Sequence, residues 1–201
     1  MMPSPSGEQL AIAMKGQAMS VEVIGPRLED KPVIKNLYMF YRYDLMPFIE
    51  QGSGSWVNQF GTIDGATSAS HEEAMAECDN YWEQPGKVIP LLIRWDQRPA
   101  GLMIITAPPY AHRSVNYRMN DLFVLNKCRR HGVATQAVLA ALHRFRGKWE
   151  VAYSPKNLAA AAFWRKLVPQ CGNGRYTEGN VDMGPNEPSL PGFFFDNTEA
   201  V

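Results

Sequence analysis

The chain has 201 residues, 45% of them hydrophobic and 20% charged, with 20 basic and 20 acidic side chains and no formal net charge. That is enough apolar sequence to build one sizeable core, which argues against wholesale disorder, and the charge balance argues against a general nucleic-acid coat. Three cysteines at wide spacing (Cys78, Cys128, Cys171) form neither a disulfide framework nor a metal pair, so a cytoplasmic location is expected.

Residues 1–18 have no clear period and are rich in small and turn-forming residues. They are expected to be a flexible N-terminal extension or a cloning remnant, with a single folded domain over residues 19–201. Val21 to Ile24 reads as a first strand. In the next segment Val33, Leu37, Tyr41, Leu45 and Phe48 recur at helical spacing behind Pro32, so a helix is expected there. The Gly- and Ser-rich stretch that follows Glu50 reads as a long loop. Ser70 with Glu73 forms a capping box that opens a second helix, expected to reach Trp82.

Two apolar runs around Asp96 to Pro99 predict an antiparallel hairpin. Val115 to Leu125 predicts another strand. Residues 132–146 predict a helix with Val138, Leu142 and Phe145 on one stripe. "WEVAYS" predicts a strand, and Asn157 to Val168 a helix. Two further strands are expected, near Tyr176 and at Gly192 to Phe195. The order β-α-α-β-β-β-α-β-α-β-β makes an α/β fold, a mixed sheet with helices on its faces.

Two segments carry chemistry. The first is Arg129-Arg130-His131-Gly132-Val133-Ala134, where a strand gives way to a helix. A helix start presents free N–H groups and partial positive charge. Gly132 and Ala134 let the backbone come close, and the arginines add charge, so this end suits a phosphate. The bland alternative is a basic helix start on the surface. The second segment is Asn157 to Trp164, an Asn-capped run of alanines after the next strand. Alone it reads as an ordinary helix packed on a sheet.

Together, in this order and about thirty residues apart, the two segments resemble the GNAT superfamily of N-acetyltransferases, which use acetyl-CoA. Its signature, Q/R-x-x-G-x-G/A followed by N-x-x-A-x-x-F-Y, is met here by Arg129, Gly132 and Ala134, then by Asn157, Ala160 and Phe163. The resemblance covers about residues 88–168 and implies a GNAT-like fold with acetyl-CoA as co-substrate and no metal. It implies that backbone groups of Leu122, Phe123 and Val124 pair with the pantetheine arm. Amides from Arg129 through Arg130, His131, Gly132, Val133 and Ala134 to Thr135 would hold the pyrophosphate, and Asn157 would touch the cofactor. The activity implied is transfer of acetyl to a primary amine by direct attack.

Two positions depart from the pattern. Asn120 stands where a glutamate is common, and Trp164 where a tyrosine is usual, and an indole is not a practical acid. The replacement groups considered are Asp121 or His112 as base and Tyr117 or Tyr153 as acid, with Asn120 beside Asp121. Strand alternation lets only one of Asn120 and Asp121 face a cleft unless a bulge intervenes. Cys128 lacks a visible base and is not expected to act as a nucleophile.

The first two helices carry Asp44, Glu50, Glu72, Glu73, Glu77 and Asp79. They would favour a small cationic amine, although a solvated acidic face is the simpler explanation. The aromatic residues there, Tyr38, Phe40, Tyr41, Trp56, Phe60, Tyr81 and Trp82, are expected mostly in the core, with some able to wall a pocket. The expected partner is a small-molecule amine acceptor, with neither nucleic acid nor membrane, and a homodimer is left open. The rival function is an acyl-CoA-binding sensor with little turnover. A nucleotide-binding α/β protein is a weaker third, because a Walker lysine is absent.

Overall fold

The computed structural model describes residues 20–25, 27–49, 56–63, 69–112, 114–184 and 187–199. The expected N-terminal extension therefore lies outside the described residues, as do Glu50 and residues 51–55 and 64–68 of the Gly/Ser loop.

Seven strands form one sheet: β1 (Val21–Ile24), β2 (Val88–Trp95), β3 (Arg98–Thr106), β4 (Tyr117–Val124), β5 (Lys148–Ala152), β6 (Tyr176–Val181) and β7 (Leu190–Asp196), in the order β1-β2-β3-β4-β5-β7-β6. Neighbours are antiparallel except β4 and β5, which are parallel. The helices are α1 (Lys31–Leu45), α2 (His71–Ala74), α3 (Val133–Arg144) and α4 (Leu158–Cys171). This is the α/β mixed sheet and the element order that the hydrophobic patterning predicts.

The central strands are apolar on both faces because both faces are covered. On one, Leu91, Ile93, Met103, Ile105, Met119, Trp149 and Val151 pack against the buried stripes of α3 and α4. On the other, Leu92, Leu102, Ile104 and Phe123 pack against Ile34 and Leu37 of α1. Asn197 pins the end of α3, its amide nitrogen donating to the carbonyls of Leu142 and Phe145.

Two elements differ from their expected form. The second helix is α-helical over four residues only and continues as a 3-10 helix over Ala76–Trp82. Three residues per turn bring Met75, Cys78 and Tyr81 onto one line, and these are the residues that pack under α1. The Asn157 helix runs past Val168 to Cys171, with Pro169 in its last turn. Burial of Leu167, Val168 and Cys171 holds that turn in place.

Candidate active site

β4 and β5 pair only at Tyr117↔Trp149, Arg118↔Glu150 and Met119↔Val151. Beyond Met119, β4 runs on to Val124 and leaves the β5 flank, so the remaining length of β4 carries backbone groups on a free edge facing a gap. On its other flank β4 stays paired with β3 through Gly101↔Val124. Gly101 is required there, since a Cβ would fall 2.0 Å from the Phe123 carbonyl oxygen.

The free edge leads to a helix mouth. Arg130 and Gly132 both have left-handed backbone, with φ of 63° and 78°. Gly132 is the N-cap of α3, and no side chain caps the helix. The first backbone bond of α3 runs from the Gln136 N–H to the Gly132 carbonyl. The amides of Gly132, Val133, Ala134 and Thr135 are therefore the four that precede the helical ladder, and they point out of it. A β-carbon at Gly132 would meet only the Gln136 amide at 3.5 Å, so room is available and the constraint is the backbone angle.

The arginines do not both face that mouth. The Arg129 Nε donates to the Val124 carbonyl at 2.7 Å, and its guanidinium also pairs with Asp44 at the end of α1. Arg129 thus ties the loop to α1, and one of the backbone oxygens expected to serve pantetheine is already engaged. Arg130 and His131 are exposed, and the His131 ring lies 4.9 Å from that of Trp95. Cys128 is buried in the turn before them. Asn157 caps α4, its side-chain oxygen accepting from the Ala160 amide at 3.0 Å.

Below the gap, the alternation of β4 is interrupted. The pairing with β3 shifts between Ile104 and Ile105, so Asn120 is an extra residue between Met119 and Asp121. The choice between the two side chains that strict alternation imposes therefore does not arise. Both project to the α1 face, and the Asn120 amide nitrogen donates to the Asp121 carboxylate at 3.0 Å. Asn120 is exposed, whereas Asp121 keeps 7% exposure. Tyr41 donates to the other carboxylate oxygen at 2.7 Å, and the Tyr38 hydroxyl lies 3.4 Å from the carboxylate. The Tyr81 hydroxyl is 3.4 Å from that of Tyr38. Burial pushes the Asp121 carboxyl above its ordinary value, and the bonds from Tyr41, Asn120 and Tyr38 oppose that shift. Burial likewise raises both Tyr38 and Tyr41 well above the usual phenol, with the Asp121 charge adding to it.

The other candidate proton carriers are placed differently. Tyr153 follows β5 at the point where the gap opens, half-buried, with its ring 5.9 Å from Phe193. Tyr117 is packed between Phe145 and Trp149. Trp164 is 5% exposed and sits in the core beside Phe163, so at this position the side chain fills volume. His112 is exposed, and its ring nitrogen lies 2.6 Å from the Ser114 hydroxyl.

On the α1 face of β4 and β5 lies a pair that sequence reasoning missed. Arg118, 5% exposed, donates its Nε to Glu150 at 2.7 Å, and Glu150 is fully buried. The same carboxylate oxygen accepts from the His112 amide, and Arg118 also donates to the Asp182 carbonyl. A cavity of about 750 Å³ opens above Arg118, bounded by Pro108 to His112 and by Asp182 to Gly184. Nothing local in "YRMND" and "KWEVA" announces this pair, because it depends on the parallel register of two strands. Of the six carboxylates on the first helices, Asp44 is paired with Arg129 and Asp79 with Lys31 and Lys35. Among the described residues, no group of three or more His, Cys, Asp or Glu is arranged to hold a metal ion.

The parallel strand pair thus parts beside an uncapped helix mouth, and an unpaired strand edge leads to a set of free amides. The model of the acetyltransferase (GNAT) family matches residues 56–167, more than half of the chain, and the chain belongs to that family of enzymes. Solved structures agree on the fold. An acetyltransferase from Thermus thermophilus has a TM-score of 0.56 at 13% identity, covering 88% of this chain and 97% of its own. The PaiA N-acetyltransferase from Thermoplasma acidophilum, solved with coenzyme A, has 0.56 at 11%, covering 89% and 99%. The spermidine N-acetyltransferase from Vibrio cholerae, solved with CoA and spermine, has 0.56 at 13%, covering 90% and 97%. No curated protein sequence matches the chain.

Proposed function

We propose that the protein transfers the acetyl group of acetyl-CoA to the primary amine of a small, cationic acceptor. The observation that carries this reading is the uncapped mouth of α3 at the end of the free β4 edge. In it the amides of Gly132 to Thr135 bind the pyrophosphate, with help from the helix dipole and Arg130. The β4 edge from Leu122 to Val124, apart from the Val124 carbonyl that Arg129 holds, takes the pantetheine arm as an added strand. The thioester then lies where β4 and β5 part, beside Asn120 and Asp121.

An ammonium cannot attack a carbonyl carbon, so the acceptor must first lose a proton. Asp121 takes it, and Asn120 holds the carboxylate in place. The amine lone pair attacks the thioester carbon, a C–N bond forms, and the C–S bond breaks. Tyr153, one residue beyond β5, is the hydroxyl assigned to protonate the leaving sulfur, and the second proton lost by the new amide nitrogen restores it. The acceptor enters over Arg118, on the same face as Asp121, where Asp182 supplies a carboxylate near a cationic chain and Glu150 offsets the Arg118 charge from below.

Calorimetric titration with acetyl-CoA, beside ATP as a control, followed by thiol release in an amine panel with polyamines first, tests this. Selective saturable binding with amine-dependent thiol release is the expected result. Binding without release from any amine would favour an acyl-CoA sensor. Absence of acetyl-CoA binding would overturn the assignment of the helix mouth.

A further inference from the structure

The acetylation of an ammonium releases one net proton: R–NH3⁺ and acetyl-CoA give the amide, CoA thiol and H⁺. One of the two protons leaving nitrogen ends on sulfur, and the other has to reach solvent. Asp121, the base in the reading above, is nearly enclosed, at 7% exposure. Asn120 stands at its open side, and a carboxamide does not carry protons. On the other side three hydroxyls converge. Tyr41 donates at 2.7 Å, Tyr38 lies at 3.4 Å, and Tyr81 lies 3.4 Å beyond Tyr38. Tyr38 and Tyr41 sit three residues apart on α1, so one turn of helix aims both at the same strand position. Tyr81 comes from the 3-10 helix whose period lines it up with Met75 and Cys78 beneath α1.

We infer that Tyr41, Tyr38 and Tyr81 are the proton-handling unit of Asp121: Tyr41 fixes the carboxylate, and Tyr38 with Tyr81 passes its proton outward beneath α1. This rests on the assignment of Asp121 as base. The transfer balances without a further reactant. Tyr81 donates to Tyr38 and Tyr38 to Asp121, so both hydroxyls first rotate outward; the protonated carboxyl then gives its proton to the Tyr38 oxygen as the Tyr38 proton moves to the Tyr81 oxygen and the Tyr81 proton passes to solvent water. Each tyrosine ends neutral, and Asp121 is again a carboxylate. No free phenolate forms, which suits two phenols whose ionisation burial opposes.

The charges on the surrounding elements are engaged elsewhere. Lys31 and Lys35 of α1 bind Asp79 on the 3-10 helix, Asp44 binds Arg129, and Arg118 on β4 binds Glu150. β3 presents apolar Leu102 and Ile104 to this face. Burial, the Tyr41 and Tyr38 hydroxyls and Asn120 thus set the basicity of Asp121, and Tyr81 reaches it only through Tyr38.

The test pairs a measurement that needs no turnover with one that does. Carbon-13 NMR titration follows the Asp121 carboxyl in the full chain and in Tyr41→Phe, Tyr38→Phe and Tyr81→Phe. Loss of the Tyr41 bond should move the Asp121 titration to higher pH, with a smaller move for Tyr38→Phe and none for Tyr81→Phe. With the most responsive amine of the panel, the acid limb of kcat/KM should move with the carboxyl in Tyr41→Phe. Tyr38→Phe and Tyr81→Phe should each lower kcat about tenfold, a small part of what general acid–base catalysis supplies, with KM and acetyl-CoA affinity unchanged. A carboxyl titration identical in all four proteins overturns the proposal. So does a carboxyl that moves while the acid limb stays, which places the base elsewhere. Acetyl-CoA binding without turnover of any amine overturns the transfer reading and this one with it, and the NMR arm distinguishes that case by still showing the network.

Discussion

The two ends of the gap between β4 and β5 are made from different materials. At the α3 end the chemistry lies in backbone: amides of Gly132 to Thr135 that have no helical partner, held open by left-handed residues. At the Asp121 end it lies in side chains brought from α1, from the 3-10 helix and from a bulged strand. A backbone site needs only a contiguous stretch with the right conformations, so a short motif can specify it. A side-chain site needs three distant segments in register, and no motif can. The first end also tolerates substitution of side chains that the second does not, which makes the contrast testable.

The largest effect is expected at the second end. Asp121→Asn keeps the shape of the side chain and removes the proposed proton acceptor, so turnover should fall by about 10²–10⁴-fold with acetyl-CoA affinity unchanged. Stability should behave oppositely. Because burial raises the folded carboxyl above its unfolded value, the folded chain holds the proton in the window between them. The stabilising contribution of Asp121 is thus complete below the unfolded value and is lost as pH rises through the folded one. Thermal melts should show the Asp121→Asn protein no less stable than the parent at neutral pH. A fall in melting temperature alongside the loss of rate would mean that Asp121 is structural, and the comparison would collapse.

Gly132→Glu comes next. It places a carboxylate and a strained backbone at the pyrophosphate, and acetyl-CoA affinity should drop about 100-fold or more, read by calorimetry. A Gly132→Ala control separates the two causes. It should lower stability by about 1 kcal/mol through its φ of 78° while losing much less affinity. Unchanged affinity in Gly132→Glu would remove the phosphate from this end.

Asn157→Ala should cost about 1 kcal/mol of stability, because the side-chain oxygen caps Ala160. A large loss of acetyl-CoA affinity without loss of stability would instead give Asn157 the cofactor contact that the motif resemblance implies.

The smallest effect is expected for Asp44→Ala. Its pair with Arg129 is half-exposed, so stability should change by about 0.5 kcal/mol or less and affinity by less than about threefold. A tenfold gain in affinity at low salt would show Arg129 turning to the pyrophosphate once released, and would make the α3 end a side-chain site as well.

Much of the molecule was legible in the chain. The two apolar runs of Val88 to Thr106 around their turn, the 3.6-residue stripe of Val133 to Leu142 and the capping residues at Ser70 and Asn157 predicted the element order. They did so because backbone periodicity must match the faces it buries. The helix mouth was legible for the same reason, since Gly132 is where a left-handed N-cap is least costly. Three matters lay beyond local pattern. The bulge at Asn120 exists only in the register of β4 against β3. The Arg118–Glu150 pair exists only in the register of β4 against β5. The destination of Arg129 depends on where α1 ends.

By itself, then, the sequence determined which segments are strands and helices, and that one helix starts uncapped behind a glycine. These follow from short-range sterics and from hydrophobic period. Tertiary structure alone decided that Asn120 and Asp121 share a face, that two tyrosines backed by a third meet the buried carboxylate, and that Trp164 fills the core. The tyrosine contacts join residues 43 to 83 positions apart in the chain, and the bulge depends on the register of β4 against β3, so only the packing of the assembled sheet with α1 and the 3-10 helix decides them.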